Sequence, residues 1–439
     1  MSEFLKPANT ADWAENFEQI KPLMHATLAA QESARCLFCY DPPCQKACPT
    51  SIDIPLFIRQ IYTQNTIGAA RTIYDSNYFG NICGKVCPTE VLCEGACVFN
   101  EQNEKPIEIG RLQSFATSTA IAKNAQLYSP KADTGKKVAI IGAGPAGIAA
   151  ACELRRAGIA VTIFEAKSQP SGLALHGVAP YKIENETVLE EINYLQQQLG
   201  FEIVCNSPIS AEKLNTLSQE YDAVFLGIGM GNTKSLKIEG ETLENCHGAT
   251  EFIETLKLNP FTTFVGKTVV VVGGGNTAMD AASEAARMGA EQVYLVYRKP
   301  KSEMGAYEFE YDLAKSVGVK GVFGYSPKAI QADATGKVNK IIFTNTANTT
   351  ENSTQERAFD CDMVILATGQ EKNAATLVSQ IEGLTIDSKG RISVNAAYQT
   401  TNPKFFAAGD AVNGGAEVVN AVAEAKKAAQ GMISYLGNS

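Results

Sequence analysis

The sequence predicts an α/β protein in which two doubly wound domains, one inserted into the other, follow a mostly α-helical, cysteine-rich domain. Strand, glycine-rich turn, helix and strand recur in that order in KVAIIGAGPAGIAAACELRRAGIAVTIFE from Lys137 and in KTVVVVGGGNTAMDAASEAARMGAEQVYLVYRK from Lys267, about 130 residues later. Ahead of both, eight of the twelve cysteines fall between Cys36 and Cys97, in a region with helical apolar spacing and no run of alternating strands.

At 439 residues and 45% hydrophobic, the chain is long enough for two or three domains with cores of ordinary size. A net charge of -9 and a sequence pI of 5.2 argue against nucleic acid or an anionic membrane surface as the main partner, and against polyanionic substrates. The start, MSEFLKPANTADWAENFEQ, lacks the positive charge and apolar run of an export signal. No later apolar run reaches the roughly 18 residues of a membrane span, so a cytoplasmic protein is expected. In a reducing compartment, clustered cysteines bind metal more often than they pair with one another.

The helical domain is expected over residues 1–128. Ile54, Phe57, Ile58 and Ile61 mark one of its helices, and Pro130, Asp133 and Gly135 make Ser129–Lys137 the best linker. The first doubly wound domain is expected in two parts, 136–255 and 367–439, with the second inserted at 256–366.

Gly142, Gly144 and Gly147 follow an apolar strand and, with Pro145 and Ala146 between them, open a helix. They supply the tight turn, the close backbone approach and the close helix packing that a dinucleotide pyrophosphate requires. Glu165 ends the next strand, 21 residues beyond Gly144, where a carboxylate can accept hydrogen bonds from a ribose. The second loop, Gly273, Gly274, Gly275, Asn276 and Thr277, has the same context, but its next strand runs into Arg298 and Lys299, with Lys301 close behind. No acid stands at the ribose position, and basic side chains suit a 2′-phosphate, so NADP(H) is favoured over NAD(H); a solvated basic turn is the alternative.

Gly409 and Asp410 in FFAAGDAV, and Ala367, Thr368 and Gly369 after the strand DMVIL, resemble motifs of the two-dinucleotide-binding flavoproteins, the class that includes thioredoxin reductase. In that class the Asp contacts the ribityl chain of FAD, the next helix points its N-terminus toward the flavin ring, and the other motif marks the crossing between domains. Electron exit through thiols needs two neighbouring cysteines. After residue 130 only Cys152, Cys205, Cys246 and Cys361 remain, none in a CxxC, and they are expected to be small buried apolar residues.

The N-terminal cysteines offer another exit. Cys36, Cys39, Cys44 and Cys48-Pro49 are followed by Cys83, Cys87-Pro88, Cys93 and Cys97, and the C-x3-C-P ending is ferredoxin-like. Thiolates at such spacing hold iron–sulfur clusters, and spacing alone assigns all eight. Structural zinc is the alternative, but the chain has only one CxxC knuckle and zinc has no redox role beside a flavin. A nicotinamide gives a hydride and a cluster takes one electron at a time, so a flavin must stand between them. No acid–base residue is needed for the hydride step, and His25, His176 and His247 are expected to be structural.

CLFCYDPPCQKACPTSIDIPLFI, NICGKVCPTEVLCEGAC and PIEIGRLQSFA resemble the N-terminal iron–sulfur domain of dihydropyrimidine dehydrogenase, and the remainder resembles that family's FAD and NADPH domains. The resemblance implies one 4Fe–4S cluster on Cys36, Cys39, Cys44 and Cys97, and a second on Cys48, Cys87, Cys93 and Gln113, with Cys83 spare. It implies that Glu165 through Leu173, Gly172 included, line the adenosine side of FAD. Lys182 stands where the family has a flavin-contacting Arg, keeping the charge but losing the planar fork. Arg298 and Lys299 match the family's phosphate-binding pair, while Met304 and Gly305 replace a further Arg.

The fused animal-type enzyme continues into an FMN barrel and a second ferredoxin-like segment, whereas this sequence ends at Ser439. The implied role is therefore the electron-input subunit of a bacterial hetero-oligomer. NAD(P)H would reduce FAD, and single electrons would pass through two clusters to an FMN-containing catalytic subunit that reduces uracil or thymine. The nearest rivals are the small subunit of glutamate synthase, where Glu is expected in place of Gln113, and a ferredoxin-linked NAD(P)H oxidoreductase or transhydrogenase subunit. A redox sensor or scaffold is the reading from another class, against which the two intact glycine loops speak.

Overall fold

The computed structural model describes residues 3–346, 355–378 and 381–437. The chain divides into two compact units. One comprises the N-terminal residues through Gln19, His176–Tyr181 and Gly231–Glu371; the other comprises Ile20–Leu175, Lys182–Met230 and the chain from Lys372 onward.

The larger unit carries the cysteine-rich helices and the first doubly wound domain. Ile54–Tyr62 is helical and buries Ile54, Phe57, Ile58 and Ile61 on one face, as their spacing predicts, with Asp53 accepting the Leu56 N–H at its start. That face joins a core with Ile73, Ile109, Leu112 and Ala116 from the helices Thr66–Ser76 and Ile109–Ala122. No strand precedes Lys137 among the described residues. Beyond it lies a five-stranded parallel sheet in the spatial order Phe405–Ala407, Ala223–Leu226, Lys137–Ile141, Ala160–Phe164, Glu202–Val204. The late strand therefore returns to the sheet begun at Lys137.

The other unit is built on a second five-stranded parallel sheet, in the order Cys246–Gly248, Met363–Leu366, Thr268–Val272, Gln292–Tyr297, Lys320–Phe323. A three-stranded antiparallel sheet, Tyr325–Ala332, Val338–Asn345 and Glu356–Asp360, is attached to it.

Four stretches lie in the other unit from the one expected, two of them being His176–Tyr181 and residues 367–371, both expected with the first doubly wound domain. Residues 231–255, expected with the first domain, fold with the second, because the strand Cys246–Gly248 pairs with Met363–Leu366 and the helix Ala249–Leu258 buries Phe252 and Ile253 in the second core. Residues 3–19, expected with the helical domain, also belong here. Asn16 donates from Nδ2 to the carbonyls of Leu5 and Arg287, each at 2.7 Å, and the Arg287 guanidinium lies over the rings of Phe4 and Tyr181.

Candidate cofactor sites

Gly142 has φ +97, and a Cβ there would lie 2.5 Å from the Gly227 carbonyl oxygen. At Gly147 a Cβ would lie 1.9 Å from the Gly142 oxygen, so only glycine lets the helix Pro145–Arg156 sit this close to the turn. Gly144 is the opposite case. It caps that helix, no side chain caps it in turn, and a Cβ would meet nothing within 4 Å. The helix start thus offers its free N–H groups to open space, the arrangement that receives a pyrophosphate.

The neighbouring residues complete a cradle. Glu165 is nearly buried, accepting from Ala143 N at 2.7 Å and Lys167 N at 2.8 Å, which leaves carboxylate lone pairs for a ribose. Gly172 packs against Gly144, where its Cβ would come within 3.0 Å of the Gly144 Cα. Ser171, at φ +91, is fully buried with a hydroxyl that has no hydrogen-bond partner. An orphaned buried hydroxyl beside an open helix start fits a bound dinucleotide. Leu173 opens the short helix Leu173–His176, and Lys182 is buried.

The late motif reaches the same place. A Cβ on Gly409, φ +75, would approach the Ala146 Cβ to 3.0 Å, so the Gly409-Asp410 turn rests on the first turn of the glycine-loop helix. Asp410 starts the helix Asp410–Asn413, and burial raises its pKa above the ordinary carboxylate value. The long helix Val418–Gly437 follows.

In the inserted domain, Gly275 caps the helix Asn276–Arg287 and a Cβ there would meet nothing within 4 Å, whereas one on Gly274 would strike the Tyr297 ring at 2.5 Å. Asn276 accepts from Tyr307 N at 3.0 Å and so braces the loop beyond the basic turn, while Thr277 lies in the first turn. Arg298 and Lys299 are exposed after the strand Gln292–Tyr297. Glu303, which sequence reasoning passed over, lies 3.0 Å from the Lys299 ammonium. Thr368 donates to the Lys234 carbonyl at 2.6 Å, and Lys234 N donates to the Gly369 carbonyl at 2.8 Å. Ala367, Thr368 and Gly369 thus zip the outgoing chain against the incoming one.

The cysteines line two separate cavities. One is lined by Cys36, Cys39, Cys44 and Cys97, with Leu37, Ile54, Phe99 and Ile109 around them. The other is lined by Cys48, Cys83, Cys87, Cys93 and Gln113, together with Asn77 and Val419. Among the described residues, no group of three or more His, Cys, Asp or Glu side chains is gathered around one point as a single ion would require. Cavities lined by several thiols suit iron–sulfur clusters, which cysteine thiolates hold. Gln113 Nε2 donates to the Gly80 carbonyl at 2.6 Å, which leaves Oε1 as the atom available to the cavity. Val419 belongs to the first turn of the helix after Gly409-Asp410, so the second cavity lies beside the end of the flavin motif.

Glu191 is a further residue that the sequence reading missed. Fully buried on the helix Asn185–Leu199, it accepts from Asn81 N at 2.6 Å, Ile82 N at 2.9 Å and the Tyr74 hydroxyl at 2.8 Å. It thereby supplies the cap that the helix Gly80–Val86 lacks from its own segment. Burial pushes its pKa up to about 7. Its signal was available, because it falls three residues after Val188 on the apolar stripe with Ile192 and Leu195. Of the four scattered cysteines, Cys152 and Cys361 are buried as expected, but Cys205 and Cys246 are partly exposed. His25 caps a helix by accepting from Leu28 N at 3.2 Å.

Residues 136–425 match the pyridine nucleotide-disulphide oxidoreductase family model. The chain belongs to that family. Residues 13–125 match the model of dihydropyrimidine dehydrogenase domain II, 4Fe–4S cluster. The chain is 35% identical over 420 residues to the NAD-dependent dihydropyrimidine dehydrogenase subunit PreT of Salmonella typhimurium, covering 95% of this chain and 97% of that protein. It is 33% identical over 456 residues to the glutamate synthase (NADPH) small chain of Halomonas elongata, covering 98% and 95%. Thioredoxin reductase of Lactococcus lactis shares the doubly wound fold, with a TM-score of 0.55 and 19% identity over 70% of this chain and all of that one. The chain is thus an oxidoreductase of thioredoxin-reductase-like architecture that uses FAD, NAD(P)H and 4Fe–4S clusters. No helix among the described residues is long and apolar enough to cross a membrane.

Proposed function

We propose that this chain is the electron-input subunit of a cytoplasmic dihydropyrimidine dehydrogenase, working with an FMN-containing catalytic subunit that reduces uracil and thymine to 5,6-dihydropyrimidines. The observation that carries the reading is the near full-length likeness to a PreT subunit, together with Gln113 at the cavity that holds Cys48, Cys87 and Cys93. FAD, when bound, accepts an electron pair as hydride and releases electrons singly.

The chain's own residues hold and order the groups. Gly142, Gly144, Pro145, Ala146 and Gly147 would carry the FAD pyrophosphate, Glu165 its ribose, and Asp410 its ribityl chain. Cys36, Cys39, Cys44 and Cys97 would ligate one cluster. Cys48, Cys87, Cys93 and Gln113 would ligate the other, which by its contact with Val419 is the one beside the flavin motif. The pyrophosphate of the nicotinamide dinucleotide would sit against Gly274, Gly275, Asn276 and Thr277.

NADH is the donor we favour. Arg298 and Lys299 suit a 2′-phosphate, but the Glu303 carboxylate that pairs with Lys299 would repel one. The further Arg is absent, and the PreT relative is described as NAD-dependent.

Anaerobic co-purification with candidate partners tests the role. Retention of an FMN protein and uracil-dependent NADH oxidation by the complex are expected. Failure with that partner, together with turnover of glutamine and 2-oxoglutarate beside a glutamate synthase large chain, would assign the second reading, which the 33% identity to the Halomonas elongata small chain favours.

A further inference from the structure

Asn77 lines the cavity of Cys48, Cys87, Cys93 and Gln113 and is fully buried. Its Oδ1 accepts from the Phe79 N–H at 2.9 Å. That bond fixes which way the amide faces, because a backbone N–H needs an acceptor and the opposite flip would set two donors against each other. The Nδ2 group is left buried with no hydrogen-bond partner in the protein.

A native fold rarely leaves such a donor empty, since it forfeits its bonds to water and gains nothing in return. The free acceptors for which this cavity is built are sulfurs, those of the ligating thiolates and of the cluster itself. We infer that Asn77 Nδ2–H donates a hydrogen bond to a sulfur of the second cluster and thereby sets its reduction potential. The inference rests on the proposed assignment of this cavity to a 4Fe–4S cluster.

The electrostatics give the direction. Reduction adds negative charge to the cluster, and an N–H dipole pointed at a sulfur stabilises the reduced state more than the oxidised one. Asn77 therefore raises the potential of the cluster beside the flavin motif and favours its uptake of an electron. Gln113 acts in the same direction, as a neutral ligand in place of a thiolate.

The test is an anaerobic redox titration of the full chain with both clusters and FAD, followed by EPR. Asn77→Leu keeps the volume and removes the donor, and Asn77→Ser serves if the leucine variant loses iron. The expected result is full iron content with one cluster shifted to lower potential by at least threefold in its reduction equilibrium, about 30 mV at 59 mV per tenfold for a one-electron couple. The other cluster and the flavin should be unchanged. Cys93→Ser separates the two levels of inference. If it leaves both cluster signals intact, the cavity assignment itself fails. If it abolishes one signal while the Asn77 variants leave that cluster's potential at the wild-type value, the hydrogen-bond inference alone is overturned.

Discussion

Gly144 and Gly147 lie in one turn and are both glycine, yet the structure gives them different reasons, which two alanine substitutions can separate. At Gly147 the new Cβ would be 1.9 Å from a backbone oxygen, where ordinary contact begins at 3.4 Å, so helix and turn must part by most of the difference. Overpacking of this kind costs roughly 1–3 kcal/mol, and replacing a helical glycine recovers about 1 kcal/mol at most. The flavin-free protein with Gly147→Ala should therefore lose about 1–2 kcal/mol, read as an earlier urea midpoint. At Gly144 the Cβ enters open space, so the flavin-free protein should unfold as wild type does. The added methyl then occupies the path of the pyrophosphate, and at about 1–3 kcal/mol FAD should bind roughly 5- to 150-fold more weakly by fluorescence titration. Wild-type FAD affinity in Gly144→Ala, or an equal loss of stability in both variants, would refute the cradle.

The two cysteine cavities should be separable: Cys44→Ser and Cys93→Ser should each lower iron content by about half and abolish different EPR signals, whereas Cys83→Ser should keep all the iron. Glu303→Ala removes the carboxylate beside Lys299 and should raise kcat/KM for NADPH relative to NADH by about two- to fivefold, the worth of an exposed ion pair; an unchanged ratio would place the 2′-phosphate elsewhere. Arg287→Ala removes the guanidinium that bonds the Asn16 carbonyl and lies over Phe4 and Tyr181. Residues 3–19 should then be cleaved faster by chymotrypsin at Trp13 or Phe17, with little change in FAD content.

The parts of the fold that were legible in the sequence are those in which one residue type answers one local demand. Gly142 must adopt positive φ, Gly147 must let a helix approach a turn, and Ile54, Phe57, Ile58 and Ile61 must share a face. The segment 231–255 was misplaced because a three-residue strand, Cys246–Gly248, carries almost no local signal and is defined by its partner 118 residues later, the separation of Cys246 from Val364. Residues 3–19 were misplaced for a similar reason, since Asn16 reads as a polar surface residue until its bonds to Leu5 and Arg287 are seen. The separation of the cysteines into two groups came from family resemblance, because spacing alone assigns all eight. Cys97 lies four residues from Cys93 in sequence and yet lines the other cavity. Asn77 and Ser171 could not be singled out from sequence, because what distinguishes them is a buried polar atom with no partner in the protein.

The central claim is that electrons pass from FAD to the FMN-containing partner through the cluster that Cys48, Cys87, Cys93 and Gln113 would hold. It is tested most directly by assaying Cys93→Ser with the FMN-containing partner, comparing NADH oxidation by a two-electron dye with NADH oxidation driven by uracil. Near wild-type dye reduction with loss of the uracil-dependent rate is expected, whereas a uracil-dependent rate equal to that of the wild-type chain would contradict the claim.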